Sequence, residues 1–272
     1  MTFMSLIASL SMYDWPETRV EIDAQWTVIR DVLRAAGVDA PDTLTRRNAD
    51  LPPVAGGIKD TDGTIIAADP ATLPADEFDV RTMWRHPALH FAQTCWGPME
   101  LGLGDHVQLL GQPDYSDCEG GEGAYYSSAI LARRDDVNLP APNDGAALLP
   151  LETMRGARLA FNGPDSMSGI IALTRDLEGA GESHNIFSSM LETGSHRASI
   201  AAIARREADI CVVDCRSWQL AKRFEESASE VSAIGWTARR PGLPYICSRV
   251  LPASTVTTMR DALLSAGITV AG

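Results

Sequence analysis

Three short stretches carry the side chains best suited to holding a small anion. The first is Leu159-Ala160-Phe161-Asn162-Gly163-Pro164-Asp165-Ser166-Met167-Ser168-Gly169. It reads as a short apolar strand that breaks at Asn-Gly-Pro and opens a helix with Asp165, Ser166 and Ser168. Ile170, Leu173 and Leu177 then recur at helical spacing, and Gly179 and Gly181 close the element. A strand that delivers small hydroxyl residues to a helix start makes an anion site, because first-turn N–H groups have no intrahelical partner and the peptide dipoles add positive charge there. The competing reading is that Asp165, Ser166 and Ser168 only cap the helix.

The second stretch, Glu192-Thr193-Gly194-Ser195-His196-Arg197, leads into a helix marked by Ala198, Ile200, Ala201, Ile203 and Ala204. Its Ser, His and Arg side chains can all donate to an anion. The third is the buried strand Ile210-Cys211-Val212-Val213-Asp214-Cys215, whose Asp214 lies near the carboxyl end. A carboxylate there is either paired structurally or set to meet a cationic group of a ligand. Tyr13, Asp14 and Trp15 sit at a strand-to-helix turn, where ligand contacts gather in open α/β sheets. Tyr13 and Trp15 either line a pocket or staple the helix to the core. Cys95, at a strand end, reads as a buried structural cysteine rather than a nucleophile, since no histidine is known to be adjacent.

The elements that must position these residues alternate strand and helix, which predicts a largely parallel sheet system with helices packed on it. Leu6–Leu10 is an apolar strand. Pro16 then suits the first position of a helix whose face is Ile22, Trp26, Ile29 and Leu33. A second strand is expected at Thr43-Leu44-Thr45, turns or a hairpin over 52–63, and a helix from Val80 to His90. Short elements follow: a helix over 99–103, a strand over 106–112, and the glycine-rich loop Asp117–Gly123 feeding one strand from Ala124 to Leu131. Arg133-Arg134-Asp135-Asp136 ends that strand. Further strands are expected at 231–236 and 245–247, with a terminal helix over 253–266 carrying Val256, Met259, Leu263 and Leu264.

Composition removes several function classes. A length of 272 residues supports one large or two smaller α/β domains, and a 45% hydrophobic share is ordinary for a soluble protein. The net charge of −13 and the lack of a basic stripe argue against nucleic acid as a partner. Any anion site must therefore depend on local donors rather than a global field. The five cysteines have neither the density of a disulfide framework nor a CxxC pair for zinc, and no metal site is expected. Asp60, Asp62 and Asp69 lack EF-hand spacing and read as loop carboxylates. Neither a Walker loop nor a dinucleotide turn is present. The N-terminal residues lack a basic n-region with a long apolar core, and no run reaches the roughly 18 apolar residues of a membrane span.

Taken in order, Trp84-Arg85-His86-Pro87-Ala88-Leu89, Gln93-Thr94-Cys95, Asp117-Cys118-Glu119-Gly120 through Tyr126-Ser127-Ser128, Asn162 to Gly169, Thr193-Gly194-Ser195-His196-Arg197-Ala198-Ser199, Asp214-Cys215-Arg216-Ser217-Trp218 and Pro241-Gly242-Leu243-Pro244 form one pattern. That pattern resembles the phosphate/phosphite/phosphonate substrate-binding proteins of ABC transporters. The resemblance implies a type 2 periplasmic-binding-protein fold: two α/β lobes with a cleft and a two-strand hinge, closing on ligand. It implies one lobe from about 1–112 plus 237–272 and the other from 113–236. Ser166, Ser168 and Gly169, with His196 as a further donor, would hold a phosphate- or phosphonate-type anion. Tyr13 and Tyr125 or Tyr126 would approach from the cleft walls, and Asp214 would meet any amino group on the ligand. It also implies a monomer without a cofactor, a periplasmic location and a membrane permease as partner. Two other readings use the same scaffold. One is a cytoplasmic enzyme like the thiamine-precursor synthases, pairing His196 with Cys95 or Cys215; the other is a ligand-sensing module, although no helix-turn-helix segment accompanies it.

Overall fold

The computed structural model describes residues 5–133 and 138–271, so the predicted Arg134-Asp135-Asp136 strand end lies outside the described residues. The chain folds into two compact units. One holds residues up to Thr94, Pro98–Pro113 and Leu243–Ala271; the other holds Cys95–Gly97 and Asp114–Gly242.

The first unit is built on a four-stranded mixed sheet in the order Ile7–Ser9, Leu89–Gln93, Tyr245–Ser248, Val107–Gly111. Ile7–Ser9 runs parallel to Leu89–Gln93, whereas Tyr245–Ser248 is antiparallel to both its neighbours. The helix Arg19–Ala35 buries Ile22, Trp26, Ile29 and Leu33, the face its apolar period marks out. Trp26 stacks on Phe91 at 5.6 Å, and Phe91 on Tyr245 at 4.9 Å, tying this helix to two strands. Val256, Met259 and Leu263 bury one side of the helix Ala253–Ser265.

Three local expectations change here. The first helix begins at Arg19 rather than at Pro16, because the Thr18 hydroxyl donates to the carbonyls of Tyr13 and Trp15 and closes a separate turn ahead of it. Thr43–Thr45 forms no strand, although the Thr45 N–H donates to the Ala8 carbonyl and Ser9 Oγ to the Thr45 carbonyl. The expected 80–90 helix stops at Arg85, since His86 is extended ahead of Pro87 and Leu89–Gln93 enters the sheet. Asp79 caps it through the N–H groups of Arg81 and Thr82. Asp60 and Asp62 accept from the backbone of their own turns, and Asp69 accepts from the N–H groups of Ala71 and the distant Val54.

The second unit has a five-stranded sheet in the order Ser189–Glu192, Arg158–Phe161, Ile210–Asp214, Ser128–Arg133, Val231–Trp236. The first three strands are mutually parallel, and the last two join antiparallel. Both main sheets are thus mixed rather than largely parallel. Ser128–Arg133 enters from a hairpin-like segment instead of a helical crossover, and an antiparallel entry needs no crossover. Leu159, Leu173, Leu177, Ile210, Val212 and Ile130 fill the core beneath the parallel strands.

The expected single strand from Ala124 to Leu131 is two. Tyr125–Tyr126 lies between Arg240–Pro241 and Gly121–Glu122 in a small antiparallel sheet, and Ser128–Arg133 joins the large one. The break falls at Ser127, whose N–H bonds back to the Gly120 carbonyl. The helix Ala172–Gly179 is held to the 238–240 segment by Asp176, which accepts from the Ala238 N–H and pairs with Arg240 at 2.5 Å.

Candidate ligand-binding site

The three parallel strands of the second unit all end at one edge of the sheet, the edge where α/β proteins place ligands. Phe161 is followed there by the Asn162–Gly169 turn, Glu192 by the Ser195 cap, and Ile210–Asp214 ends in its own carboxylate. This topology gathers Ser166, Ser168, His196 and Asp214 into one buried polar cluster. Ser168 Oγ lies 3.0 Å from His196 Nε2 and 3.4 Å from Ser166 Oγ. The same imidazole nitrogen lies 3.4 Å from Asp214 Oδ2 and 3.5 Å from Asn162 Nδ2.

The turn that carries the serines is not a regular helix start. Met167–Ile171 is a wide, π-type turn broken at Gly169, ahead of the helix Ala172–Gly179. Ser166 caps it, accepting the Gly169 N–H at 3.1 Å, and its carbonyl accepts from Ile171. The N–H groups of Gly97, Met167 and Ser168 lie toward the buried Cys95 thiol and hold back the burial-driven rise of its pKa. The Gly169 N–H is engaged within the turn by Ser166. The donors that remain are the Ser166 and Ser168 hydroxyls and the His196 imidazole. A Cβ at Gly169 would lie 2.4 Å from Asn162 Oδ1 and 3.0 Å from Ser166 Oγ, so a larger residue there would displace those two side chains.

His196 opens the helix His196–Ala204, and Ser195 caps it by accepting from the Ala198 N–H at 3.1 Å. Arg197 turns away to pair with Glu225. Asp214 is 2% exposed and caps the helix Cys215–Phe224 through Oδ1, which accepts the Ser217 N–H at 2.8 Å. It stands directly opposite Ser128 in the sheet. One of its oxygens is thus committed to backbone, and the other lies 3.4 Å from the same His196 Nε2 that Ser168 meets.

Of the two adjacent tyrosines, Tyr126 is buried and stacks on Tyr115 at 5.1 Å. Burial pushes its phenol well up, with the Cys95 thiol and the Asp214 carboxylate adding to the shift, so it adjoins the cluster as a neutral hydroxyl. Strand alternation turns Tyr125 to the opposite face, where it is 38% exposed. Tyr13 belongs to the other unit, is buried, and accepts at its carbonyl from Thr18; its neighbour Asp14 pairs with Arg46.

Trp96 and Gly97, next to the Cys95 that the sequence reads as a buried structural cysteine, are the part of the site that sequence patterns did not mark. Trp96 Nε1 donates to the Gly242 carbonyl at 2.8 Å, and Gly97 packs against the Asp165 carbonyl. Neither Cys95 nor Cys215 is hydrogen-bonded to His196. Burial pushes both thiols up, the opposite of what a thiolate nucleophile requires. Among the described residues no group of three or more His, Cys, Asp or Glu side chains could hold a metal ion.

Burial lowers the His196 pKa below its ordinary 6.5, opposed by the Asp214 carboxylate and the Val212 carbonyl. His86 and His90, in the other unit, move the same way, and burial is again the leading cause. Between the ordinary value and these lower ones the unfolded chain holds protons that the folded chain does not. Stability is therefore complete above the ordinary value and is lost as pH falls through that window, by at most about 1.4 kcal/mol per pH unit for each histidine. The melting temperature without ligand should drop between about pH 7 and pH 5.5, and His196→Gln should flatten that drop. An unchanged slope in the variant would mean that His196 titrates normally in the fold.

This chain belongs to the family described as ABC transporter, phosphonate, periplasmic substrate-binding protein, whose model matches residues 80–271. It is similar in fold to PhnD1 from Prochlorococcus marinus in complex with methylphosphonate, at a TM-score of 0.61 and 13% identity, over 96% of this chain and 84% of that one. A Xanthomonas citri protein bound to chloride ion matches with a TM-score of 0.58 and 16% identity, over 96% of this chain and 83% of that one. The binding-protein component of a phosphonate ABC transporter from Pseudomonas aeruginosa matches at 0.55 and 15%, over 95% of this chain and 73% of that one. Comparison with curated proteins finds no match. The fold is the mixed α/β architecture of periplasmic binding proteins.

Proposed function

We propose that the protein binds a phosphonate-type anion reversibly through Ser166, Ser168 and His196, and delivers it to the permease of an ABC transporter without chemical turnover. The observation that carries this reading is the 3.0 Å contact between Ser168 Oγ and His196 Nε2, beside Ser166, in a chain of the phosphonate-binding family. Two hydroxyls and an imidazole N–H form a compact donor set for the oxygens of a tetrahedral anion, and they are buried, where charge-assisted hydrogen bonds are strongest. Asp214 faces the same ring nitrogen and favours the protonated imidazole, and Tyr126 adds a neutral hydroxyl next to the cluster. The family is one of periplasmic proteins, which supports a location on the outer side of the membrane.

A thermal-shift panel of phosphate, phosphite, methylphosphonate, 2-aminoethylphosphonate and simple carboxylates tests the ligand class. A specific binder at a hundredfold over its Kd stabilises the fold by about 2.7 kcal/mol, enough to raise the melting point by several degrees. Ser168→Ala and His196→Ala should each lose about 1.5–3 kcal/mol of binding, a fall in affinity of roughly tenfold or more. Unchanged affinity in both variants would overturn the site.

A further inference from the structure

Cys118 and Cys215 are both buried, both free as thiols, and lie on two elements that are clamped together. Cys118 sits in a tight turn, its N–H donating to the Tyr115 carbonyl and its carbonyl accepting from Gly121. Cys215 is the first residue of the helix Cys215–Phe224. Arg216 reaches from that helix to Asp117 Oδ1 at 2.7 Å, and Gln219 Nε2 donates to the Asp117 carbonyl at 2.8 Å. Lys222 lies 3.6 Å from Glu119. The Cys118 thiol itself lies 3.3 Å from Gln219 Oε1. Cys215 and Gln219 are four residues apart on one helix and so share a face, which places Cys118 against the side of the helix that carries Cys215. Beyond burial, the neighbouring Cys118 thiol pushes the Cys215 thiol further up, as a close partner does.

We propose that Cys118 and Cys215 close a disulfide that ties the 114–123 loop to the helix capped by Asp214. The other three cysteines are placed differently. Cys211 stands mid-strand opposite Leu131, Cys247 belongs to the other unit, and backbone N–H groups surround Cys95. The oxidant is a small disulfide such as oxidised glutathione. One cysteine thiolate attacks it and releases one glutathione thiol; the second thiolate attacks the mixed disulfide and releases the other. The cysteine pair loses two electrons, the oxidant gains them, and the two cysteine protons end on the two released thiols. Burial holds the Cys215 thiol protonated in the folded chain, so closure belongs to folding, when both sulfurs meet the redox buffer. Persistence of the bond rests on the extracytoplasmic location proposed above, since such compartments preserve disulfides; its formation in vitro does not.

The test is to refold the reduced chain in mixed oxidised and reduced glutathione, alkylate it under denaturing conditions and map its peptides by mass. Three of the five cysteines should be alkylated and the Cys118 and Cys215 peptides should be linked. Because the bond closes a loop of roughly 100 residues, dithiothreitol should lower the melting point by several degrees, and Cys118→Ser should abolish that sensitivity. Five alkylated cysteines, a lasting glutathione adduct on either residue, or a link between other cysteines would overturn the proposal. The same map on chain secreted to a bacterial periplasm answers the question should refolding fail, with the same outcomes decisive. Phosphonate binding is not a readout here, so failure of the disulfide leaves the binding site standing.

Discussion

Gly97→Ala should cripple ligand binding without touching any residue that meets the ligand. A Cβ on Gly97 would lie 1.8 Å from the Asp165 carbonyl oxygen and 3.0 Å from the Met167 nitrogen. Both neighbours are backbone of the turn that presents Ser166 and Ser168, so no side chain can swing aside to relieve the contact. Overpacking against a fixed neighbour typically costs about 1–3 kcal/mol, and a clash with backbone belongs at the upper end. A loss of about 3 kcal/mol in a chain of this size lowers the melting point by roughly 6–12 °C. The turn must shift outward, taking the Ser168 hydroxyl from His196 and the Met167 and Ser168 N–H groups from the Cys95 sulfur. Loss of two hydrogen bonds to a charged ligand corresponds to roughly a hundredfold fall in affinity or more. Gly179→Ala supplies the control, since a Cβ there meets nothing within 4 Å at the end of the same unit's helix. Equal melting points and ligand affinities for the two variants would mean that Gly97 does not set the position of the turn.

Ser166, Ser168, His196 and Asp214 were legible in the sequence for a physical reason. Each stands just past a short apolar run, and parallel strands deliver whatever follows them to a common edge. Gly97 was not, because its partners Asp165 and Met167 lie some 70 residues away and long-range packing leaves no periodic mark. The strand break at Ser127 was hidden for a related reason. Ala124 to Leu131 is apolar and aromatic throughout, and only the return of the Ser127 N–H to Gly120 divides it between two sheets. The helix start itself departs from the regular form expected: the chain makes a wide turn broken at Gly169, and Ser166 takes up the Gly169 N–H.

Asp214→Asn should weaken binding of every phosphonate by a similar factor, which separates an orienting role from direct contact with a ligand amino group. The family resemblance assigns Asp214 to an ammonium, yet its Oδ1 accepts from Ser217 and its Oδ2 faces His196. Asparagine caps a helix about as well as aspartate, so the variant should lose little stability through the cap. What it removes is the carboxylate that opposes the burial-driven fall of the His196 pKa, so the imidazole should titrate lower still and its orientation should loosen. Affinity for methylphosphonate and for 2-aminoethylphosphonate should then fall together, by roughly tenfold, the worth of one charge-assisted hydrogen bond. Direct pairing with an ammonium predicts something else: a large loss for the aminophosphonate alone, with methylphosphonate nearly unaffected. Calorimetric titration of both ligands against both proteins reads the ratio directly. A ratio that changes by tenfold or so would move Asp214 from positioning His196 to recognising the ligand's amino group.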